Sequence, residues 1–352
     1  MWIYLLLFAG VFMGWSLGTN DAANAFGTAV STGVIKYRTA VIIISVLVII
    51  GAFAMGSGNM ESVNDLAISN GVIPSAEVAE GMIEAGKTNL ALTSAIKAFI
   101  VFACAGATVF LMSYLKFPVS ANQSITGAII GWGISEIGFA ALKGDNLAQL
   151  GKFASTWLLC PLGAAIISFV IIKIANKLII PYLSKLSHYD MIVKIGYLIA
   201  GAYASFSIGM NSSANVTSLY YGEVVNGVPT NLLSDARLTC TIGGIAIALG
   251  VLTYSKKVMM TVGTSIAPLT QIEGFLVIIS MATTIVLLGN FMKIPVSTSQ
   301  AVVGAVVGAG ITKSFKCVNY GVFKNIAIAW VSSPLLAGVL TYLVALCTRS
   351  VL

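Results

Sequence analysis

Charged residues are scarce in this sequence of 352 residues. Lys, Arg, Asp and Glu together make up 9% of it, whereas hydrophobic residues make up 58%. A soluble domain carries about 25% charged residues, so the composition excludes an ordinary soluble protein. It indicates a polytopic membrane protein whose surroundings are the lipid bilayer.

Histidine is almost absent, and closely spaced cysteine pairs are absent. The single His188 excludes the H-E-x-x-H motif of a metalloprotease. The five cysteines form no C-x-x-C pair. Asp21 is the only Asp inside a predicted membrane segment, so an aspartyl protease lacks its second carboxylate. The sequence therefore argues against an enzyme, and it predicts no cofactor.

The net charge of +7 does not indicate a nucleic-acid-binding protein. The basic residues do not cluster with aromatic residues, and in a membrane protein Lys and Arg more often set the topology. We therefore expect no nucleic acid among the partners.

Long apolar runs predict an all-α protein with about 10–12 transmembrane segments, each of roughly 17 residues or more. The N-terminal run, 1–15, lacks the basic start of a signal peptide and is predicted to be the first span. The other clear runs are Thr39–Gly56, Thr88–Leu115, Phe153–Ile172, Leu238–Tyr254, Gly274–Phe291 and Ile326–Cys347.

Two motifs occur twice, in the same order, and indicate a duplication. "KFPVSANQSITGAIIGWGI" (116–134) matches "KIPVSTSQAVVGAVVGAGI" (293–311) at ten of nineteen positions. "GTNDAAN" (18–24) matches "GMNSSAN" (209–215). We predict two repeats, 1–186 and 187–352, that together form one transmembrane transport domain.

The distribution of basic residues predicts that the repeats are inverted. With the N-terminus outside and five crossings in each half, most Lys and Arg residues fall on the cytoplasmic side of the cell membrane. The C-terminus then lies outside, as does the acidic segment 57–87, which is predicted to be a polar loop. Inverted repeats are typical of secondary transporters, whose binding sites lie near the bilayer midplane.

The repeated Pro-Val-Ser motifs predict broken or re-entrant helices. Pro118 and Pro295 suit the first turn of a helix, and the Ser two positions later suits a cap. A helix that starts inside the membrane presents free N–H groups and the positive end of its dipole, which favours an anion. The candidate anion-binding residues are Ser120, Gln123, Ser124, Ser297, Thr298, Ser299 and Gln300.

The repeated Asn-rich motifs suit a cation. Asp21 and Asn24 share a helix face, as do Asn211 and Asn215. Carbonyls of unwound backbone, with Asn and Asp oxygens, are ligands suited to Na⁺, and a carboxylate in a membrane indicates function. Asp21 is equally able to carry a proton. The candidate sodium-binding residues are Asn20, Asp21, Asn24, Asn211 and Asn215, with the ion itself placed at Asp21 and Asn24.

Two features have alternative interpretations. The small-residue runs "GAIIGWG" and "GAVVGAG" are expected to be helix-packing faces rather than ligand loops. Glu61 either ends the second span near the site or belongs to the acidic outer segment.

At these residues the sequence resembles the inorganic phosphate transporter (PiT) family of secondary symporters. Its signature G-A-N-D-x-A-N-A-x-G-T is similar to "GTNDAANAFGT" (18–28), and its repeated P-V-S-T-T-H resembles "PVSANQ" and "PVSTSQ". The resemblance covers both halves. It implies an inverted-repeat fold that moves phosphate together with Na⁺ or H⁺, both of which are transported ligands rather than cofactors.

This sequence departs from the family pattern at the site. Ser212 replaces an Asp, Asn122 replaces a hydroxyl residue, and Gln123 and Gln300 replace two His residues. The loss of both His residues and one carboxylate favours Na⁺ over H⁺ coupling. Because sulfate has no proton to donate, fewer carboxylates also leave room for sulfate.

The leading hypothesis is a symporter of inorganic phosphate driven by a Na⁺ gradient. A proton-coupled phosphate or sulfate permease is the alternative. A passive anion channel is a different class, and it requires a continuous polar lining, whereas the polar residues here lie in four patches. A homodimer is compatible with the apolar faces of the spans.

Overall fold

The computed structural model describes residues 2–86, 89–115, 119–182, 186–261 and 266–348. These residues form an almost entirely helical protein, with one short hairpin of β1 (Val224–Val225) and β2 (Val228–Pro229). The helices are α1 (Leu7–Ser31), α2 (Tyr37–Met55), α3 (Met60–Ser69), α4 (Ala76–Glu84), α5 (Leu90–Tyr114), α6 (Ala121–Ile137), α7 (Asp145–Leu178), α8 (Leu186–Ser212), α9 (Ala214–Thr217), α10 (Ala236–Thr261), α11 (Gln271–Met292), α12 (Thr298–Lys313) and α13 (Tyr320–Thr348).

The predicted spans are confirmed as helices. In the described parts of the chain, eight helical segments are long and apolar enough to cross a membrane, including those built on α2, α5, α7, α10, α11 and α13. Two further helices, which the sequence also predicts as crossings, are not among these eight. They are α1, whose centre carries polar residues, and α12, which has 16 residues. The protein is therefore an all-α polytopic membrane protein.

The prediction of a polar loop over 57–87 is wrong for most of that segment. A short 3₁₀ turn and the helices α3 and α4 occupy it. Met60, Val63 and Ala67 of α3 are buried at helical spacing, and this pattern is masked in the sequence by the acidic residues between them. The segment therefore packs against the bundle, where it lies beside the binding motifs.

The prediction of unwound backbone at the Asn-rich motifs is wrong in the first half. Helix α1 runs without a break from Leu7 to Ser31. In the second half the helix is interrupted, because α8 ends at Ser212 and α9 begins at Ala214. The first copy has Asp-Ala-Ala where the second has Ser-Ser-Ala. Alanine is the best helix former, whereas serine side chains compete for backbone hydrogen bonds, which explains the difference.

Glycine allows the central helices to approach at backbone distance. A Cβ on Gly18 of α1 would clash with the carbonyl of Ile247 in α10, and one on Gly209 of α8 would clash with the carbonyl of Val48 in α2. Gly18 and Gly209 occupy equivalent positions of the two copies. The same close contact is therefore made twice, and each time it joins a helix of one half to a helix of the other.

The small-residue runs after the Pro-Val-Ser motifs are packing faces, as expected. A Cβ on Gly127 of α6 would clash with the Pro334 carbonyl of α13. A Cβ on Gly304 of α12 would clash in the same way with the Pro161 carbonyl of α7. Without strong hydrophobic driving force in lipid, helices associate through such close packing of small residues. These contacts fix where the N-terminal ends of α6 and α12 lie.

The two halves interlock rather than forming separate units. Helix α1 packs mainly on α10, α8 on α2, α6 on α13 and α12 on α7. Each of these pairs joins one half to the other. The inverted orientation and the boundary at 186 remain predictions.

We expect Gly304→Ala to destabilise the protein. The added methyl group has to push α12 away from the backbone of Pro161, at a cost of about 1–3 kcal/mol. Gly151→Ala is the matched control, because Gly151 lies on an exposed face of α7 with no atom near its Cβ position. It should gain up to about 1 kcal/mol from helix propensity. Thermal unfolding of both variants in detergent measures the difference, and equal midpoints would contradict the packing role of Gly304.

Candidate sodium and phosphate site

Both Pro-Val-Ser motifs end in a capped helix. Ser120 is the N-cap of α6, and its Oγ accepts a hydrogen bond from the Gln123 N–H at 3.3 Å. Ser297 caps α12 in the same way, with the Gln300 N–H at 3.3 Å. The predicted helix starts are therefore confirmed. Pro118 lies outside the described residues.

The starts of α6 and α12 meet. The side-chain Nδ2 of Asn122, in the first turn of α6, donates a hydrogen bond to the backbone carbonyl of Pro295, just before α12. The remainder of α6 packs on α5 and α13, and the remainder of α12 packs on α11 and α7. The two positive helix ends thus face one small buried region.

Asn211 holds the backbone before α12. Its Nδ2 donates to the Val296 carbonyl at 2.8 Å, and its Oδ1 accepts from the Val296 N–H at 2.8 Å. Asn211 and Val296 are both buried. The amide therefore replaces the hydrogen bonds that a neighbouring strand or helix would give, and it fixes the turn that starts α12.

Asp21 links the Asn-rich and Pro-Val-Ser motifs. Its carboxylate Oδ1 accepts a hydrogen bond from the Thr298 hydroxyl at 2.7 Å and one from Asn24 Nδ2 at 3.1 Å. The Ser212 hydroxyl lies beside this carboxylate. All four side chains are buried. Three helices thus converge on one carboxylate.

These contacts join all four polar motifs into one network. Asp21 connects α1 to the start of α12 through Thr298, and Ser212 connects it to the end of α8. Asn211 Nδ2 lies 3.4 Å from the Ser212 Oγ and also binds Val296. Asn122 adds the start of α6. Four segments that are far apart in sequence therefore share one buried polar region.

Several buried carbonyl oxygens in these motifs lack a hydrogen-bond donor among the described residues. An unpaired buried acceptor is costly, so a group of them points to a ligand that supplies positive charge. Such oxygens are ligands of the kind that hard cations take. They are Asn122 Oδ1, Gln123 Oε1, Asn215 Oδ1 and Gln300 Oε1.

Most of the predicted site residues lie in or beside this network, but their contacts differ in kind. Asn20 instead donates to the Ser113 hydroxyl of α5 at 3.0 Å, and its side chain is only half-buried. Ser124 donates to the carbonyl of Ser120 in its own helix at 3.1 Å. The Ser297 and Ser299 hydroxyls lie 3.1 Å apart. Glu61 is exposed in the first turn of α3, which favours its assignment to the acidic outer segment.

Three residues have roles that the sequence did not reveal. Thr298, predicted to face the anion, binds the carboxylate predicted to hold the cation. Ser212 lies beside the same carboxylate, and Asn122 joins the two helix starts. The only sequence signal for Ser212 and Asn122 is that both depart from the family pattern.

Comparison with known proteins agrees with this arrangement of motifs. The sequence model of the phosphate transporter family matches residues 17–341, which include all four motifs. The chain belongs to the phosphate transporter family. Its family and fold are therefore those of a membrane transporter.

Relatives in the family match over nearly their whole length. A predicted phosphate permease of Pyrococcus abyssi is 27% identical, over 97% of this chain and 97% of its own. One from Methanocaldococcus jannaschii is 27% identical, over 97% of this chain and 96% of its own. A solved structure of a sodium-dependent phosphate transporter matches with a TM-score of 0.78 and 25% identity, and the match covers 100% of both chains.

We expect Asn211→Ala to destabilise the start of α12. The variant leaves the N–H and carbonyl of buried Val296 without partners, at a cost of about 1–3 kcal/mol. Asn20→Ala is the matched control, because Asn20 is the equivalent residue of the first copy and its side chain donates to the Ser113 hydroxyl instead of holding a backbone segment. Thermal unfolding in detergent, without sodium or phosphate, compares them. Equal losses of thermal stability in the two variants would contradict the role of Asn211 in holding the backbone of Val296.

Proposed function

We propose that the protein is a secondary active symporter that uses a Na⁺ gradient to move inorganic phosphate across the membrane. The hydrogen bond between Thr298 and Asp21 carries the proposal, because it joins the best anion candidate to the best cation candidate. Family membership supports phosphate as the substrate. The solved relative is named for sodium dependence, and this supports Na⁺ as the driving ion.

The proposed cation site centres on Asp21 and Asn24. Asp21 is the acidic side chain of the network, and the unpaired oxygens of Asn122 and Asn215 belong to the same motifs. Na⁺ prefers oxygen ligands and balances one negative charge. Because Asn211 uses both ends of its amide on Val296, we propose that it supports the site instead of binding the ion.

The proposed anion site lies between the starts of α6 and α12. The first N–H groups of a helix have no partner within the helix, and two positive dipole ends face the same region. The hydroxyls of Ser120, Ser297 and Ser299 are at these starts. Gln123 and Gln300 contribute amide groups of the same turns. A small oxyanion such as phosphate fits this set of donors.

Coupling follows from the shared residues. Without a cation, the Asp21 carboxylate repels an anion held at the start of α12. A bound Na⁺ cancels that charge, so each ligand favours binding of the other. A symporter needs a state in which Na⁺ and the anion are bound together. A channel does not need the binding of one ion to favour binding of the other.

Two alternatives differ from this proposal, one in the coupling ion and one in the class of protein. Asp21 is the carboxylate able to carry a proton for H⁺-coupled transport of phosphate or sulfate. A passive anion channel remains the alternative of a different class. We propose that both termini lie outside the cell membrane, as the distribution of basic residues predicts.

We expect Asp21→Asn to abolish Na⁺-dependent phosphate uptake. Thr298→Val removes the hydroxyl that binds Asp21 but keeps the shape, and it should raise the Na⁺ concentration for half-maximal uptake about 10- to 100-fold. Thr298→Ser keeps the donor and is the matched control. Uptake of labelled phosphate at a series of Na⁺ concentrations measures all three. Unchanged Na⁺ dependence in Asp21→Asn would refute its role.

The proposed function itself is tested by uptake into proteoliposomes. With an inward Na⁺ gradient, labelled phosphate should accumulate above its outside concentration, and competition by excess sulfate should be weak. Accumulation driven by a pH gradient without Na⁺ would favour the proton-coupled alternative. Uptake that never exceeds the outside concentration would favour the channel. No phosphate uptake under any gradient would overturn the proposal.

A further inference from the structure

Two ion pairs tie the far ends of the broken helices to their neighbours. At the end of α6, Glu136 pairs with Lys97 of α5, with Oε1 and Nζ 3.4 Å apart. At the end of α12, Lys313 pairs with Glu273 of α11, with Nζ and Oε2 2.7 Å apart. In the described residues these are the ion pairs between side chains.

The two pairs occupy corresponding places with the charges exchanged. Glu136 and Lys313 are separated by the same 177 positions that relate the two Pro-Val-Ser motifs. Each lysine also donates to a backbone carbonyl, Lys97 to Gly71 at 2.9 Å and Lys313 to Pro268 at 2.8 Å. Each pair thus connects the end of α6 or α12 to the preceding helix and to a segment between helices.

The two pairs are not equally tight. Glu273 is almost fully buried, with 4% of its side chain exposed, and its Oε2 also accepts the Thr270 N–H at 2.7 Å. Glu136 has 41% of its side chain exposed. A cavity of about 720 Å³ opens beside the Lys97–Glu136 pair, and its lining includes Ser94 and Trp132. The ring centroid of Trp132 lies 5.6 Å from Lys97 Nζ.

Helix dipoles strengthen this asymmetry. Glu273 lies in the first turn of α11 and Lys313 in the last turn of α12, where each charge complements its helix end. Glu136 lies in the last turn of α6, where a negative charge is unfavourable. The Glu273–Lys313 pair is therefore intrinsically favoured, and the Lys97–Glu136 pair is the weaker of the two.

We propose that these four residues are positioning residues for transport, acting as two opposed latches on α6 and α12. If the repeats are inverted, the pairs lie on opposite sides of the membrane. Opening the Lys97–Glu136 latch frees α6 on one side, and opening the Glu273–Lys313 latch frees α12 on the other. The starts of both helices carry the binding network, so release of one far end changes access to the site from that side. Both latches are closed in the structure, and the Glu273–Lys313 pair is the shorter and more buried of the two.

The proposal depends on the transporter fold but not on which ions are carried, so its test uses labelling without substrate. Ser94→Cys reports the cavity beside Lys97, and Ala267→Cys, buried beside Gly310 of α12, reports the other latch. Cys317 and Cys347 are replaced by alanine, because they are the native cysteines that are not buried. The rate of modification by a maleimide in proteoliposomes is measured for each reporter.

We expect Lys313→Met to raise the rate at Ala267→Cys by roughly tenfold and to lower the rate at Ser94→Cys. Lys97→Met should change both rates in the opposite directions. The exchanged pair Glu273→Lys with Lys313→Glu should restore much of the original behaviour. Glu273→Gln keeps the acceptor for Thr270 and removes only the charge, so it should act like Lys313→Met.

If both reporter cysteines are modified faster in Lys313→Met, the substitution loosens the whole protein, and the proposal is overturned. Unchanged rates in Lys313→Met and in Lys97→Met would overturn it too, as would a folded exchanged pair that behaves like Lys313→Met alone. Phosphate uptake by the same variants is measured separately. If no variant, nor the unmodified chain, takes up phosphate, the proposed function fails while the labelling result on the latches stands.

Discussion

A buried carboxylate is the constraint on which the rest of this structure depends. Asp21 lies inside a membrane protein, where an uncompensated negative charge costs several kcal/mol. The Thr298 hydroxyl and the Asn24 amide supply hydrogen bonds that make its burial tolerable, and the Ser212 hydroxyl lies beside it. These polar groups come from three different helices, so the helices must be placed with small tolerance. A requirement for charge compensation at one atom thus determines the relative positions of α1, α8 and α12.

Close backbone contacts supply that placement. Gly18, Gly209, Gly127 and Gly304 each let a helix approach a carbonyl of its neighbour. Contacts of this kind give rigid, well-defined distances without using polar side chains. Serine, threonine and asparagine side chains are therefore left to form the network. Glycine contacts thus position the helices, and the polar side chains of the four motifs bind one another and the carboxylate.

The sequence predicted local features well and distant pairings poorly. The caps at Ser120 and Ser297 follow from Pro-Val-Ser, and the shared face of Asp21 and Asn24 follows from their spacing. The bond between Asp21 and Thr298 spans 277 residues, and no local pattern specifies it. The contact of Asn211 with Val296 could not be predicted either, because an amide in a sequence looks the same whether it binds an ion or a backbone group. Helix α3 is not evident from the sequence because Glu61 and Asp65 interrupt its apolar spacing.

The interlocking of the two halves has a consequence for biosynthesis. When the ribosome has completed α7, the helices α1, α2, α6 and α7 have not yet met the partners they pack against in the finished fold, which are α10, α8, α13 and α12. Their glycine faces and the Asp21 carboxylate remain uncovered in the membrane during this interval. Final assembly must therefore wait until α13 has been inserted. Until then, lipid or insertion factors must keep the early helices able to pack against their partners.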